Sequence, residues 1–317
     1  MHKQYPHLFS AITIGGRLVL KNRIELAPTA LPNPSPGGKS MQNLISYEGK
    51  ASSGAALIVH EGISVKKEGS TGSEGTDFDD SENLLDMVKE AEAVHRYGGV
   101  SSISICHFGA WNTKEAAIDG KMYAPSELIN PYGLKTTEMS EEMIEDIVEA
   151  FACAAEEAQY AGHDMVQIHG AHGWLFSQFL SPLFNHRTDK FGGSLENRAR
   201  FSVMVLDAIR ARCPKLPIEY RLSADDHMEG SWCIDEAVEF CKMIQDKVDL
   251  IHVSSSSFWD PTCGNMFPSA FASSGCNLEY AARIKQAVHI PVAVVGKLDS
   301  LDMMEETSLD NGKHTIE

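Results

Sequence analysis

The sequence predicts an α/β chain folded as a (β/α)8, or TIM, barrel, expected to stop before or within its eighth strand. Three observations lead there. Short β-rich runs alternate with longer amphipathic stretches along the whole chain. Several of those runs are almost continuously apolar, as parallel strands are when helices cover one face and packed side chains the other. Polar and ionisable residues collect at the carboxyl ends of the runs, where barrel enzymes carry their chemistry.

In chain order, strands are expected at "RIELAPT" (23–29), "AALIVHEG" (55–62), "VSSISICH" (100–107), "DMVQIHG" (164–170), "PIEYRLS" (217–223), "LIHVS" (250–254) and "PVAVVG" (291–296). The clearest helix is "SEEMIEDIVEAFACAAEEAQYAG" (140–162). Ser140 can cap it, acids fill its first turn, Ile144, Ile147, Val148 and Phe151 share one face, and Gly162 ends it. "SLENRARFSVMVLDAIRARC" (194–213) repeats the design with Ser194 as cap, and "IDEAVEFCKMIQDK" and "NLEYAARIKQAVH" are shorter versions. "LPNPSPGGKS" (31–40) is a Pro/Gly-rich loop after the first strand. "SLDNGKHTIE" (308–317) reads as a helix ending at Gly312 followed by the first residues of an eighth strand. Residues 1–317 are therefore expected to form one domain, C-terminally incomplete.

The bulk properties narrow the function. Hydrophobic residues make up 43% of 317, ample for a sizeable core, and the formal charge of −17 disfavours nucleic acid and anionic membranes by repulsion. The seven cysteines, at 106, 153, 213, 233, 241, 263 and 276, form no C-x-x-C pair. They indicate neither a zinc site nor a disulfide framework, and free thiols in a reducing cytoplasm are the expectation. "LFSAITIGG" near the N-terminus is too short and polar to span a membrane and lacks a signal-cleavage pattern.

The strand ends carry Pro28 and Thr29; His60 and Glu61; His107; His169 and, just beyond, His172; Arg221; Ser254; and Gly296 with Lys297. A single buried histidine is usually a satisfied core residue. Its recurrence at strand ends makes a functional site the better explanation.

"IHGAHGWLFSQFLSPLFNHRTDKFGGSLENRARF" (168–201) resembles the signature of the old yellow enzyme family of FMN-dependent oxidoreductases, in its NADH:flavin oxidoreductase, 2,4-dienoyl-CoA reductase and 2-enoate reductase branch. "LFSAITIGGRLVLKNRIELAPT" (8–29), "HFG" (107–109) and "YRLS" (220–223) support the likeness, which covers essentially the whole chain. The resemblance implies FMN at the barrel mouth and NADH or NADPH as electron donor. Pro28, Thr29 and Ala30 would give backbone contacts to the flavin edge, Arg221 would lie near its N1 and O2, and Gly296 and Lys297 would begin the phosphate side. His169 and His172 match the family pair that hydrogen-bonds a substrate oxygen. Two neutral imidazoles donating to a carbonyl would make the β-carbon of an unsaturated carbonyl compound electrophilic enough to accept hydride. The blander readings are an interior salt bridge for Arg221 and loop-tying for the two histidines. In "RTDKFGGSLENR" the glycines and Ser194 are expected mainly to shape a loop and start a helix.

Three departures stand beside the likeness. Trp174 occupies a place where the family often has a proton-giving tyrosine, and an indole cannot give up a proton. It is expected to wall a bulky, flat substrate, with water or another acid completing the reduction. Ser104 stands where many relatives carry glutamine, with His107 expected to compensate in part. The eighth strand is expected to be cut short and its phosphate loop to be absent, and an iron–sulfur (4Fe-4S) segment and an FAD-type nucleotide module would belong only to a further C-terminal region. Two unpaired sheet edges would then invite association, so a homo-oligomer is an open expectation. The alternatives are an amine dehydrogenase-like flavoenzyme and a flavin-free degenerate barrel with a binding or assembly role.

Overall fold

A computed structural model describes residues 4–29, 41–70, 81–111, 117, 120–262, 264, 266–309 and 315–316. Its central sheet has eight parallel strands, β3 (Glu25–Leu26), β4 (Leu57–Ser64), β5 (Val100–Cys106), β8 (Met165–Gly170), β9 (Ile218–Ser223), β10 (Leu250–Ser254), β11 (Val292–Val294) and β12 (Thr315–Ile316), paired in that sequential order. The seven expected strands are all present; β10 matches its expected range, β4 runs on to Ser64 and the others are shortened, and the eighth starts at Thr315 beside Val292.

The sheet curls. His252 of β10 touches Glu25 of β3 across the interior at 2.8 Å. On the outside, the carboxylate of Glu305 in α8 (Leu301–Leu309) accepts from the backbone N–H groups of His7 and Leu8, at 3.0 and 2.8 Å. That contact ties the last described helix to the start of the chain. The curled parallel sheet is consistent with a TIM barrel.

Alternation along each strand sorts side chains between the interior and the helices. Ile103, Ile105, Val166, Ile168, Ile218, Tyr220, Ile251 and Val253 face outward into the large core under α3 (Glu141–Tyr160), α5 (Leu195–Arg212), α6 (Ile234–Ile244) and α7 (Leu278–Ala287). Ser140 and Ser194 cap α3 and α5 as expected, accepting from Met143 N and Asn197 N; each such cap stabilises by about 1 kcal/mol. The amino-terminal end of the barrel is plugged by a hairpin that sequence alternation did not reveal, β1 (Ile12–Ile14) with β2 (Leu18–Leu20). Its Ile12, Ile14 and Leu20 pack on Leu57, Val59, Met165, Leu250 and Ala293. A second unread pair, β6 (Met122–Ala124) with β7 (Thr136–Glu138), lies in the β5–α3 connection. Helices α1 (Met41–Ser52), α2 (Ser81–His95) and the short α4 (Leu175–Leu180) were likewise not anticipated.

Candidate active site

Above the apolar plug, the inward positions turn polar: Ser104 on β5, Gln167 and His169 on β8, Glu219 and Arg221 on β9, and His252 on β10. Cross-strand register sets Ser104 beside Gln167, His169 beside Arg221, and Arg221 beside His252. One band of the interior therefore gathers residues separated by more than 140 positions in the sequence.

His172 reaches the same mouth by an unusual turn. Its φ is +66° and that of Gly173 is +84°. A Cβ on Gly173 would stand 2.3 Å from Ser257 Oγ, so only glycine fits there. The turn is held by His172 N donating to Ser223 Oγ (3.0 Å) and Phe258 N donating to His172 O (3.1 Å). The His172 ring contacts Ser254 Oγ through Nε2 at 2.9 Å. Ser256 and Lys297, in other loops at this end, also have positive φ. Strain of this kind concentrates where a fold is shaped for function.

The rings of His169 and His172 lie 5.1 Å apart and nearly perpendicular. Burial, reinforced by the nearby Arg221 cation, holds both well below the ordinary imidazole pKa. Both are therefore neutral at pH 7, and each carries one N–H. Trp174 decides which nitrogen of His169 carries it. The indole Nε1–H donates to His169 Nε2 at 3.1 Å, so the His169 proton is on Nδ1. That nitrogen is buried and has no hydrogen-bond partner.

Trp174 also fits the wall expected of it. It packs against Phe108 (4.5 Å) and Phe258 (4.8 Å), with Trp111 at 5.8 Å. Phe258 and Trp111 are partly exposed, so the apolar surface opens to solvent at the mouth.

Arg221 is buried, and its Nε has no hydrogen-bond partner. Burial lowers its pKa to about 10, with Glu25 and Glu219 opposing the drop, so it remains a cation at neutral pH. No salt bridge to Arg221 forms among the described residues, which disfavours the interior ion pair as its role.

Ser104 donates to Gln167 Oε1 at 3.1 Å, and Gln167 Nε2 lacks a hydrogen-bond partner. An amide is thus present beside Ser104 after all, on the neighbouring strand. The signal was its place two residues before His169, on the same strand face. Glu25, Glu219 and His252 were missed in the same way, each an ionisable residue at an inward position of an otherwise apolar strand.

His107 does not join this group. Ser104 faces the interior and Cys106 the aromatic cluster at the mouth, so alternation turns His107 away; a Cβ on Gly69 would stand 2.4 Å from its ring. His107 Nδ1 accepts from Gly109 N, and burial lowers its pKa to about 3. The compensating role expected of His107 is therefore not supported by its position. His60 also points outward, contacting Ser101 Oγ (2.9 Å), Glu90 (3.4 Å) and the Tyr47 ring.

Pro28 and Thr29 follow β3, and Thr29 is exposed; Ala30 lies outside the described residues. A cavity of about 310 Å³ separates the ends of β3 and β11, lined among others by Ala27, Thr29, His252, Gly296 and Lys297. Gly296 has φ +141°, and a Cβ there would stand 2.7 Å from Asn277 Nδ2. The Lys297 ammonium donates to Ala270 O (2.8 Å) and Ala272 O (2.5 Å), so it anchors the loop before α7. In "RTDKFGG", Arg187 binds Asp189 and the carbonyls of Pro125 and Met139, and so holds the loop in which a Cβ on Gly192 would stand 2.0 Å from Arg187 O.

The unpartnered Arg221 Nε and Gln167 Nε2, in a mouth bordered by this cavity, fit a flat ring bearing acceptor atoms, as a flavin does, and leave His169 Nδ1 for a second acceptor. Where FMN binds, Arg221 and Gln167 would meet the pyrimidine side, and Thr29 and Gly296 would border it.

Comparison with known proteins agrees with this geometry. The model of the NADH:flavin oxidoreductase / NADH oxidase family matches residues 7–316. An NADPH dehydrogenase of Clostridium acetobutylicum is 34% identical over 311 residues, covering 96% of this chain and 88% of the relative. An NADH oxidase of Thermoanaerobacter brockii is 34% identical over 308 residues, covering 95% of this chain and 47% of the relative, so the chain spans about half of that protein. Among solved structures, a 2-naphthoyl-CoA reductase complex superposes with a TM-score of 0.89 at 26% identity, over 98% of this chain and 50% of the other. The polar band, the paired imidazoles and the match across nearly the whole length lead to one conclusion: the chain belongs to the NADH:flavin oxidoreductase / NADH oxidase family.

Proposed function

We propose that this chain is a flavin-dependent oxidoreductase that passes hydride from NADH or NADPH, by way of FMN, to the alkene of an α,β-unsaturated carbonyl compound. The observation that carries the reading is the pair of neutral imidazoles 5.1 Å apart beside an unpaired guanidinium. Bound FMN supplies the hydride chemistry; the protein supplies position and charge. His169 offers Nδ1–H and His172 its own N–H to the substrate carbonyl oxygen, drawing electron density from the β-carbon. Arg221 stabilises negative charge on the pyrimidine side of the flavin. Trp174 holds His169 in the donating tautomer and, with Trp111 and Phe258, excludes water from the apolar body of a flat substrate. No proton comes from the indole, so water at the open mouth protonates the α-carbon.

The six described cysteines are free thiols, which suits the reducing cytoplasm. Among the described residues, no helix is long and apolar enough to cross a membrane.

The test separates the two half-reactions. Anaerobic NADH or NADPH should bleach the flavin absorbance, and an added enone should restore it. The double variant His169→Ala/His172→Ala should lose alkene turnover while flavin reduction continues. Equal loss of both halves, or turnover of methylated amines in place of enones, would remove the proposed role.

A further inference from the structure

Beneath the mouth, the barrel interior holds an imidazole clamped between two carboxylates, which the chemistry above leaves unused. His252 Nδ1 lies 2.8 Å from Glu219 Oε1 and 2.8 Å from Glu25 Oε1, and all three residues are buried. Both oxygens of Glu25, the second oxygen of Glu219 and His252 Nε2 have no hydrogen-bond partner, so Glu219 takes the hydrogen bond and Glu25 is held by charge. For His252 and Glu219, 2.8 Å is the separation of a charge-assisted hydrogen bond. Two ligand atoms sharing a tetrahedral metal ion through bonds of about 2.1 Å would stand about 3.4 Å apart. The spacing therefore indicates a shared proton.

Arg221 is two residues beyond Glu219 on the same face of β9 and is the register neighbour of His252 on β10. Glu25 and Glu219 are close enough to act on the guanidinium electrostatically, yet neither forms a salt bridge with it among the described residues. Both are turned to His252.

We propose that His252, carrying a proton, engages Glu25 and Glu219 below the mouth and so keeps Arg221 an unpaired cation facing the flavin site. This rests on reading the mouth as an FMN site, and His252 acts as a positioning residue. The groups facing His252 are Glu25 from β3, Glu219 and Arg221 from β9, and, at longer range, His169 and His172 from the β8 side. The last two are neutral, so two cations face two acidic side chains when His252 is protonated, and burial together with Glu25 raises the Glu219 carboxyl to about 7. Burial alone would strip the His252 proton, but the two carboxylates reverse that and raise its pKa to about 9. Remove that proton and Arg221 becomes the one cation of the interior group left for the carboxylates to turn to.

Two experiments on the full chain test this. The first is a pH titration of ¹⁵N-histidine-labelled, flavin-free protein by NMR, with His252 assigned through His252→Gln. His252 should remain an imidazolium above pH 8; a neutral His252 at pH 7, or loss of its signal on adding Mn²⁺, would overturn the proposal. The second compares His252→Leu with the triple variant His252→Leu/Glu25→Gln/Glu219→Gln. The single variant should bind FMN about tenfold more weakly, the size of one charge-assisted hydrogen bond, and shift the flavin midpoint potential negative. The triple variant should recover both, because no carboxylate remains to capture Arg221. Equal impairment of both variants would show that His252 merely packs the interior, against the proposal. A wild-type chain that takes up no FMN would refute the flavin site, while the titration still decides the state of His252.

Discussion

Replacing Trp174 by phenylalanine removes the hydrogen bond to His169. The phenyl ring keeps an aromatic face toward Phe108 and Phe258, gives up part of the indole surface, and removes the N–H that points at His169 Nε2 across 3.1 Å. A neutral hydrogen bond contributes about 1 kcal/mol net, equivalent to about a fivefold preference for the Nδ1–H tautomer. Without it, His169 can place its proton on Nε2 and turn an acceptor toward the substrate carbonyl. The alkene half-reaction should therefore slow by up to about fivefold, while flavin reduction by NAD(P)H changes by less than about twofold, because that step does not use the His169 proton. Anaerobic stopped-flow of each half-reaction measures both, and the ¹⁵N shifts of His169 report the tautomer. An unchanged alkene rate with the proton still on Nδ1 would refute the reasoning.

Three further outcomes are expected. Glu305→Ala removes the carboxylate that receives the His7 and Leu8 N–H groups, and thermal or urea unfolding should register a loss of about 2 kcal/mol. Gly296→Ala forces a Cβ to 2.7 Å from Asn277 Nδ2 and 2.9 Å from Cys276 Sγ at a φ of +141°; FMN affinity and stability should both fall, whereas Gly98→Ala, with the same type of φ but open space around it, should leave FMN affinity unchanged. Stability should decline on the alkaline side of neutrality, while on the acid side the histidines are opposed by Asp226 and Glu219, both raised to about 7 by burial. The raised pKa of His252 gives stabilisation that is complete below pH 6.5 and is lost as pH climbs through about 9. The lowered values of His107, His169 and His172 give stabilisation present above pH 6.5 and lost on acidification. Chemical denaturation between pH 7 and about 9.5 would show the alkaline decline, and His252→Gln should flatten it.

The barrel was legible in the sequence because its strands are nearly continuous apolar runs alternating with amphipathic helices and its principal helices carry caps at Ser140 and Ser194, features set by nearest neighbours. His169, His172, Arg221 and Trp174 were legible as site residues from their places at or just beyond strand ends and from a specific family signature. The β1–β2 hairpin was not, because its three-residue strands carry too few positions for periodicity to register and are fixed by packing on Leu57 and Met165. Local pattern placed His107 at the mouth, but strand alternation turned it away. Only the curling of the sheet could decide that His252 meets Glu25 and Glu219, since the contact joins β3, β9 and β10 across the interior. The sequence determines which residues each strand turns inward, because backbone geometry imposes that alternation locally. Which of those residues touch, and hence which nitrogen keeps its proton and which cation stays unpaired, depends on strand register and closure, and these exist only in three dimensions.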